Sequence, residues 1–192
     1  MRCWLFGSLI IQKTTPPDTI DQEVHSLSAI LHDLGWDNTG EFISNDKRFE
    51  VDRAIAARNF VEEEVWNGRA HGWDEHRKQL VWDTIALHST PSIAMYKQPV
   101  VGLVGAGIAS DFQGPNSDPT GTLTWDEYHA VVKGFPRLDL AGGVRKIICG
   151  FIDTKPNTTI GNGCNHMVVK FRADTYTVMG RSAFEMIEAA LK

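Results

Sequence analysis

The sequence predicts an all-α protein, a single helical bundle over residues 1–192. Three observations carry that prediction. Apolar residues recur at the three-to-four-residue spacing of a buried helix face, as in Val24, Leu27, Ile30, Leu31 and Leu34. Start signals precede such runs: Thr124-Trp125-Asp126-Glu127 and Ser182-Ala183-Phe184-Glu185 each set a hydroxyl three residues before a glutamate, the pattern of a capping box. Stop signals follow them, Pro16-Pro17 after the first run and Pro91 after His88-Ser89-Thr90.

The elements follow in order. Met1–Lys13 reads as a first helix ended by Thr14-Thr15-Pro16-Pro17. Asp18 or Thr19 caps a second helix that runs to His32-Asp33, with Gly35 as its stop. A polar loop covers 37–48. Phe49–Trp66 is the third helix, with Val51, Ile55, Phe60 and Val61 as its apolar stripe. Asp74–Leu87 is the fourth, with Leu80, Trp82, Ile85 and Leu87 facing inward. Val100–Phe112, rich in Gly and Ala, suits close helix packing or a strand. Gln113–Thr122 is a loop of turn formers, and Thr124 opens the next helix. Leu138–Ile152 and Ser182–Leu191 complete the set, and Val168–Met179 has the composition of a short strand.

Composition excludes several function classes. The 192 residues are 42% hydrophobic and 22% charged, the profile of a globular domain with a sizeable core. A net charge of −5 argues against nucleic acid as the main partner, because phosphate binding needs a basic face. No apolar run approaches the roughly 20 residues that span a bilayer, so the expectation is a cytoplasmic protein with no membrane partner. Cys3, Cys149 and Cys164 lack metal-ligand spacing and read as reduced thiols.

Among polar residues, His32-Asp33 at the end of an apolar helical run is the most informative. Neighbours on a helix diverge by about 100°, so the two converge on one metal ion only in a crevice between helices. The plainer reading is a helix C-terminus with a histidine favoured by the dipole. Glu50 and Asp52 lie two apart, and one of them is expected to face inward. Arg53, Arg58, Arg77 and Lys97 are scattered and read mostly as surface residues. His71 and His76, five apart, fall on different faces and do not read as a metal pair, and His129 and His166 read as surface or structural residues. The six tryptophans read mostly as core fillers, with Trp36 as a wall beside His32-Asp33. The glycines of 102–107 lack the lysine and hydroxyl of a phosphate loop.

Leu31-His32-Asp33-Leu34-Gly35 resembles the central motif of the HD-domain metalloenzymes, whose wider pattern is His…His-Asp…Asp. Phe49-Glu50-Val51-Asp52-Arg53-Ala54, the stretch Leu80–Pro91 and Gly105-Ala106-Gly107-Ile108-Ala109-Ser110-Asp111-Phe112 are similar to the fungal cyanamide-hydratase-like branch of that superfamily. The similarity runs from Met1 to about Pro156 and more loosely beyond. In that family the first His lies a few residues before an Arg-x-Trp-Leu-Phe-Gly stretch. Here Arg2-Cys3-Trp4-Leu5-Phe6-Gly7 follows Met1 directly and no His precedes His25, so the expectation is either a truncated first helix or a metal site with fewer protein ligands.

The resemblance implies a single HD-type domain at 1–192 and assigns Val100–Phe112 to a helix. It implies one divalent metal ion, Zn²⁺ first and Fe²⁺ or Mn²⁺ next, held by His32, Asp33 and Asp111. It places His88 beside the metal in substrate contact or proton transfer, with ligation as its second role, and makes Asp52 an acid–base or outer group. The implied reaction is hydration of a small nitrile-like substrate, cyanamide to urea, by a metal-activated water. HD-type phosphoester hydrolysis, with Arg53, Arg77 and Lys97 recruited to phosphate, is the rival within enzymology. A degenerate, non-catalytic HD fold is the rival outside it. The apolar surface left by a shortened first helix implies association into a homo-oligomer.

Overall fold

The structure, a computed structural model, describes residues 1–14, 16, 19–33, 42–179 and 183–191. Every regular element among them is helical, ten α-helices and two single 3-10 turns, as the sequence predicts. The chain divides into two compact units: Met1–Ile43 with Phe49–Arg137, and Ser44–Arg48 with Leu138–Lys192. No helix among the described residues is long and apolar enough to cross a membrane.

The first unit holds α1 (Arg2–Thr14), α2 (Gln22–Leu31), α3 (Phe49–Trp66), α4 (Glu75–Leu87), α5 (Pro91–Ala94), α6 (Pro99–Gln113) and α7 (Trp125–Gly134). The Gly/Ala-rich segment is thus a helix, α6, and it is the hub, packing on α1, α2, α4 and α5. A Cβ on Gly107 would stand 2.5 Å from the Cys3 carbonyl oxygen and 2.9 Å from the Gly7 nitrogen, so glycine alone lets α1 and α6 touch at this level. On its other side Gly7 abuts His25 of α2, whose Nε2 is 2.4 Å from where a Gly7 Cβ would be. Three helices are drawn together around these two glycines, next to Cys3.

The main apolar core joins Ile11, Val24, Ala57, Val61, Val81, Ile85 and Val101 from α1, α2, α3, α4 and α6. A second cluster sets Phe6 and Ile10 of α1 against Ala106 and Tyr128, and a third sets Cys3 with Ala29, Val104 and Ile108.

Several local expectations change. The cap of α2 is Asp21, whose Oδ1 accepts from the Val24 N–H at 3.0 Å, while Thr19 closes a turn onto the Pro16 carbonyl; Asp18 lies outside the described residues. Asp21 is also gripped by Arg77, with Nε–Oδ2 2.6 Å and Nη2–Oδ1 3.0 Å, and Arg77 spans Trp73 and Glu23 as well. Ile30 is exposed, and Leu34, Gly35 and Trp36 lie outside the described residues. On α3 the inward face is Phe49, Glu50, Asp52, Arg53, Ala54, Ala57 and Val61, whereas Phe60 faces solvent. Both Glu50 and Asp52 are buried where one was expected, and Arg53, read as a surface residue, is fully buried. On α4, Leu80 and Ile85 are buried and Trp82 and Leu87 partly so, as expected; Asp74 caps the helix. Pro91 opens the short α5 at N1, where its missing N–H costs nothing. Of the tryptophans, Trp73 is core, whereas Trp66 and Trp125 are exposed. The Thr124–Glu127 capping box forms as predicted.

The second unit holds α8 (Leu140–Thr154), α9 (Gly163–Phe171) and α10 (Ala183–Ala190), with α8 packed on α9. The strand expected at Val168–Met179 is absent: no strand occurs among the described residues, and Val168 belongs to α9. The Asn162 side chain accepts from the Cys164 N–H at 3.0 Å and starts a helix. Its buried residues, Cys164 and Val168, lie four apart on one face, so packing overrides β-branched composition. Ser182, the expected cap of α10, lies outside the described residues. All three cysteines are buried free thiols, as expected.

Candidate functional site

Two histidines reach one corner of the first unit by the same local device. His32 is the C-cap of α2 and His88 the C-cap of α4. The last carbonyls of a helix lack intrahelical partners. The His32 Nδ1–H donates to the Ala29 carbonyl at 2.9 Å, and the His88 Nδ1–H donates to the Ile85 carbonyl at 2.7 Å. A carbonyl only accepts, so Nδ1 carries the proton in both rings and Nε2 is turned away from its own helix. A backbone carbonyl on Nδ1–H is also the usual arrangement behind a metal-ligating histidine. The two rings meet edge to face with centroids 5.4 Å apart, and Phe49 packs edge-on against His88 at 5.9 Å.

Around this pair, charge is compensated locally. Asp33 Oδ2 lies 3.2 Å from His32 Nε2, and Asp33 Oδ1 lies 3.3 Å from Nη1 of Arg53. The Arg53 guanidinium stacks on the Phe49 ring, 4.2 Å from its centroid. Burial alone would depress the His32 pKa, but hydrogen bonds to Asp33 and Cys3, with their charges, outweigh it and push His32 up to about 10. Burial likewise raises Asp33, yet contact with His32 and the charges of His32, Arg53 and His88 win and lower it. His88 moves the other way. Loss of water and then the charge on His32 draw it down to about 4, against the Ile85 carbonyl. At neutral pH, therefore, His32 is the cation of the pair and His88 the neutral partner.

Asp111, buried near the end of α6, joins the same neighbourhood through α1. Its Oδ1 accepts from Arg2 Nε at 2.7 Å and from Arg137 Nη2 at 3.4 Å. Its Oδ2 accepts from the Cys3 thiol at 3.7 Å. Cys3 is thus in contact with Asp111, and it also helps to raise His32.

Of the residues singled out in the sequence, His32, Asp33 and His88 come together directly, and Asp111 meets Cys3 of α1. Asp52 is buried on α3, but the groups of α3 that act on His88 are Phe49, Glu50 and Arg53. Glu50 accepts a hydrogen bond from the Ser89 hydroxyl, next to His88. Arg2, Cys3 and Ser89 are the neighbours that sequence reasoning missed, and Glu50 and Arg53 take partners, Ser89 and Asp33, that it did not assign. A usable signal existed for one of them: Cys3 lies four before Gly7, on the α1 face that meets α6. His71, His76, His129 and His166 are exposed.

The donor set can be tested against a divalent ion. Two ligands on tetrahedral Zn²⁺ stand about 3.3 Å apart for N and O, and about 3.6 Å apart for O and thiolate, from bonds of roughly 2.1 and 2.3 Å. His32–Asp33 at 3.2 Å and Cys3–Asp111 at 3.7 Å match these spacings. These are also ordinary ion-pair and hydrogen-bond distances, and the donors stand as two separate pairs. Among the described residues no group of three or more His, Cys, Asp or Glu side chains is placed to hold a metal ion. Comparison with known proteins adds no name to this geometry: no family model and no curated protein matches the chain.

Proposed function

We propose that this chain is an HD-type, metal-dependent hydratase or hydrolase acting on a small nitrile-like substrate, with cyanamide to urea as the reaction that the sequence resemblance implies. One observation carries the reading: two C-cap histidines from separate helices turn Nε2 away from their own backbones at one corner, with Asp33 3.2 Å from His32. A His-Asp pair needs a crevice between helices in order to share an ion, and the meeting of two helix ends at this corner supports the reading. The reading includes a small-molecule substrate and a cytoplasmic location.

His32 and Asp33 would hold the ion, with Asp111 as a further carboxylate. A divalent ion of borderline hardness supplies an acidified water near neutral pH. The protein's own contribution is orientation and proton handling. The Ile85 carbonyl fixes the His88 tautomer, so Nε2 is its unprotonated, proton-accepting nitrogen. Neutralising His32 removes the second-largest cause of the low His88 pKa and makes His88 a better base. Glu50, held by Ser89, lies beside it, and Asp52 is a further buried carboxylate on the same helix.

Phosphoester hydrolysis draws less support, because its cations are committed elsewhere: Arg77 to Asp21 and Glu23, Lys97 to Asp83 at 2.6 Å, and Arg53 to Asp33. A non-catalytic fold of the same kind is favoured by a specific observation. Arginines already neutralise both carboxylates, Arg53 at Asp33 and Arg2 with Arg137 at Asp111.

Metal content of the purified chain decides between them. The catalytic reading expects about one Zn, Fe or Mn per chain, lost in Asp33→Ala, and urea formed from cyanamide by the metal-loaded protein. Protein that stays empty after incubation with these ions overturns it in favour of the non-catalytic fold. Metal-loaded protein that cleaves a chromogenic phosphoester and not cyanamide moves the assignment to phosphohydrolase.

A further inference from the structure

The second unit carries a cationic cleft along α8. We infer that this cleft, closed on one side by the end of α9, is a binding site for a small organic phosphate ester. The inference is independent of the metal-binding reading proposed above, because every residue of the cleft belongs to the second unit.

Four observations carry it. The first is charge. The second unit has nine Lys or Arg against six Asp or Glu, and the first has ten against eighteen, so the positive excess of an acidic chain lies in its smaller part. The second is a shared helix face. Arg145, Cys149 and Asp153 succeed one another at four-residue steps on α8, with Lys146 and Gly150 alongside. All five line one cleft of about 590 Å³, within the roughly 300–1,000 Å³ of small-molecule pockets.

The third is that the cations are available. Among the described residues neither Arg145 nor Lys146 pairs with a carboxylate. Arg145 lies instead over the Phe171 ring, 5.3 Å from its centroid, and a guanidinium on an aromatic face keeps its N–H edge for an anion. Arg172, the C-cap of α9, donates from Nη2 to Asp153 and from Nε to Thr175, both at 3.2 Å. Asp153 is thereby neutralised and orients the Arg172 fork, whose Nη1 makes no hydrogen bond among the described residues. The fourth is the floor. A Cβ on Gly150 would meet no atom within 4 Å, so packing does not ask for a glycine there, although glycine weakens a helix interior. The missing side chain leaves depth beside Cys149 and Phe171, uncharged walls for the carbon part of an ester.

The lining selects among anions. Three cations against one carboxylate leave two positive charges for the ligand, and a phosphate monoester carries about −1.5 to −2 near neutral pH. Arginine forks meet phosphate oxygens two at a time. A carboxylate brings a single charge and would leave one cation without a partner. Arg145 and Lys146 are exposed, so the attraction weakens as salt screens it.

Calorimetric titration of the whole chain with phenyl phosphate tests this, at low salt and with EDTA present so that no metal ion mediates. One phenyl phosphate should bind per chain, more tightly than benzoate or inorganic phosphate. Arg145→Gln and Arg172→Gln should each weaken it by roughly tenfold or more, the loss of a charge-assisted hydrogen bond. Gly150→Leu removes no charge and should abolish binding by filling the floor, with helical circular dichroism unchanged. Lys170→Gln, which removes an exposed cation of α9 outside the cleft lining, should stay within about twofold of the wild type. No saturation of the wild type with millimolar phenyl phosphate overturns the site, whatever the variants do. Equal losses in Arg145→Gln and Lys170→Gln, with Gly150→Leu unaffected, overturn it in favour of diffuse charge attraction. Benzoate or inorganic phosphate binding as tightly as phenyl phosphate overturns the ester assignment.

Discussion

His32 and His88 are the same residue in the same place on two different helices, and they carry opposite charge states. Each caps its helix and donates Nδ1–H to the carbonyl three residues back, at 2.9 and 2.7 Å, and the rings meet 5.4 Å apart. What separates them is the neighbour: Asp33 and Cys3 raise His32, whereas His88 meets Phe49 and the charge of His32 itself. Long-range proton–nitrogen NMR of metal-free protein should show His32 doubly protonated through pH 8. His88 should be the neutral Nδ1–H tautomer down to about pH 5. Two rings titrating near 6.5 would contradict the arrangement.

The two glycines at the α1–α6 crossing should respond differently to the same methyl group. In Gly107→Ala the obstruction is backbone, the Cys3 carbonyl at 2.5 Å, so the helices must part. We expect a loss of about 1–3 kcal/mol in urea unfolding, with no rescue by side-chain changes nearby. In Gly7→Ala the obstruction is the His25 ring, and His25→Ala should recover part of the loss. A double-mutant cycle on urea midpoints measures that coupling; purely additive effects at Gly7 and His25 would refute it.

His25 sets an acid limit on stability. It is fully buried, neither ring nitrogen has a partner among the described residues, and burial holds its pKa down to about 4. The unfolded chain takes up this proton near 6.5, before the folded chain does. Stability therefore holds above pH 6.5 and falls as pH drops towards 4, by on the order of 3 kcal/mol from this residue. His32, raised, works in the opposite sense: its contribution is complete below 6.5 and lost as pH climbs through about 10. Urea midpoints from pH 7 to 4.5 should fall steeply in the wild type and less so in His25→Gln; equal slopes would remove His25 from the account.

Arg2 joins α1 to two other parts of its unit. Besides Asp111 it donates from Nη1 to the carbonyls of Phe135 and Pro136, at 3.1 and 3.2 Å. Arg2→Met should cost about 2 kcal/mol, since a buried carboxylate is then left mainly to the more distant Arg137. Arg2→Met/Asp111→Asn should cost less than the sum of its parts. Calorimetry of the three variants is the check, and simple additivity would show that the pair is not coupled.

Much of the fold is legible without coordinates, because it is local. Phe49–Trp66 is bounded correctly, and Thr124 and Glu127 form the predicted box, since both depend on residues within one helical turn. Of the residues around the His32–His88 pair, His32, Asp33, His88 and Asp111 are named by the resemblance. The inward positions of Arg53 and Glu50 could not be read, because a stripe of apolar residues predicts an apolar inward face. The inward face of α3 instead carries charges whose partners lie on other segments, among them Asp33 and Ser89.

By itself, the sequence determined the helical class and most helix limits, set by spacing and capping within a few residues. Only the tertiary structure decided that α6 is the hub, that Cys3 meets Asp111, and that His32 and His88 differ in charge. Those outcomes depend on the close approach of Gly7 and Gly107 and on compensation between distant charges, which no local pattern of residues encodes.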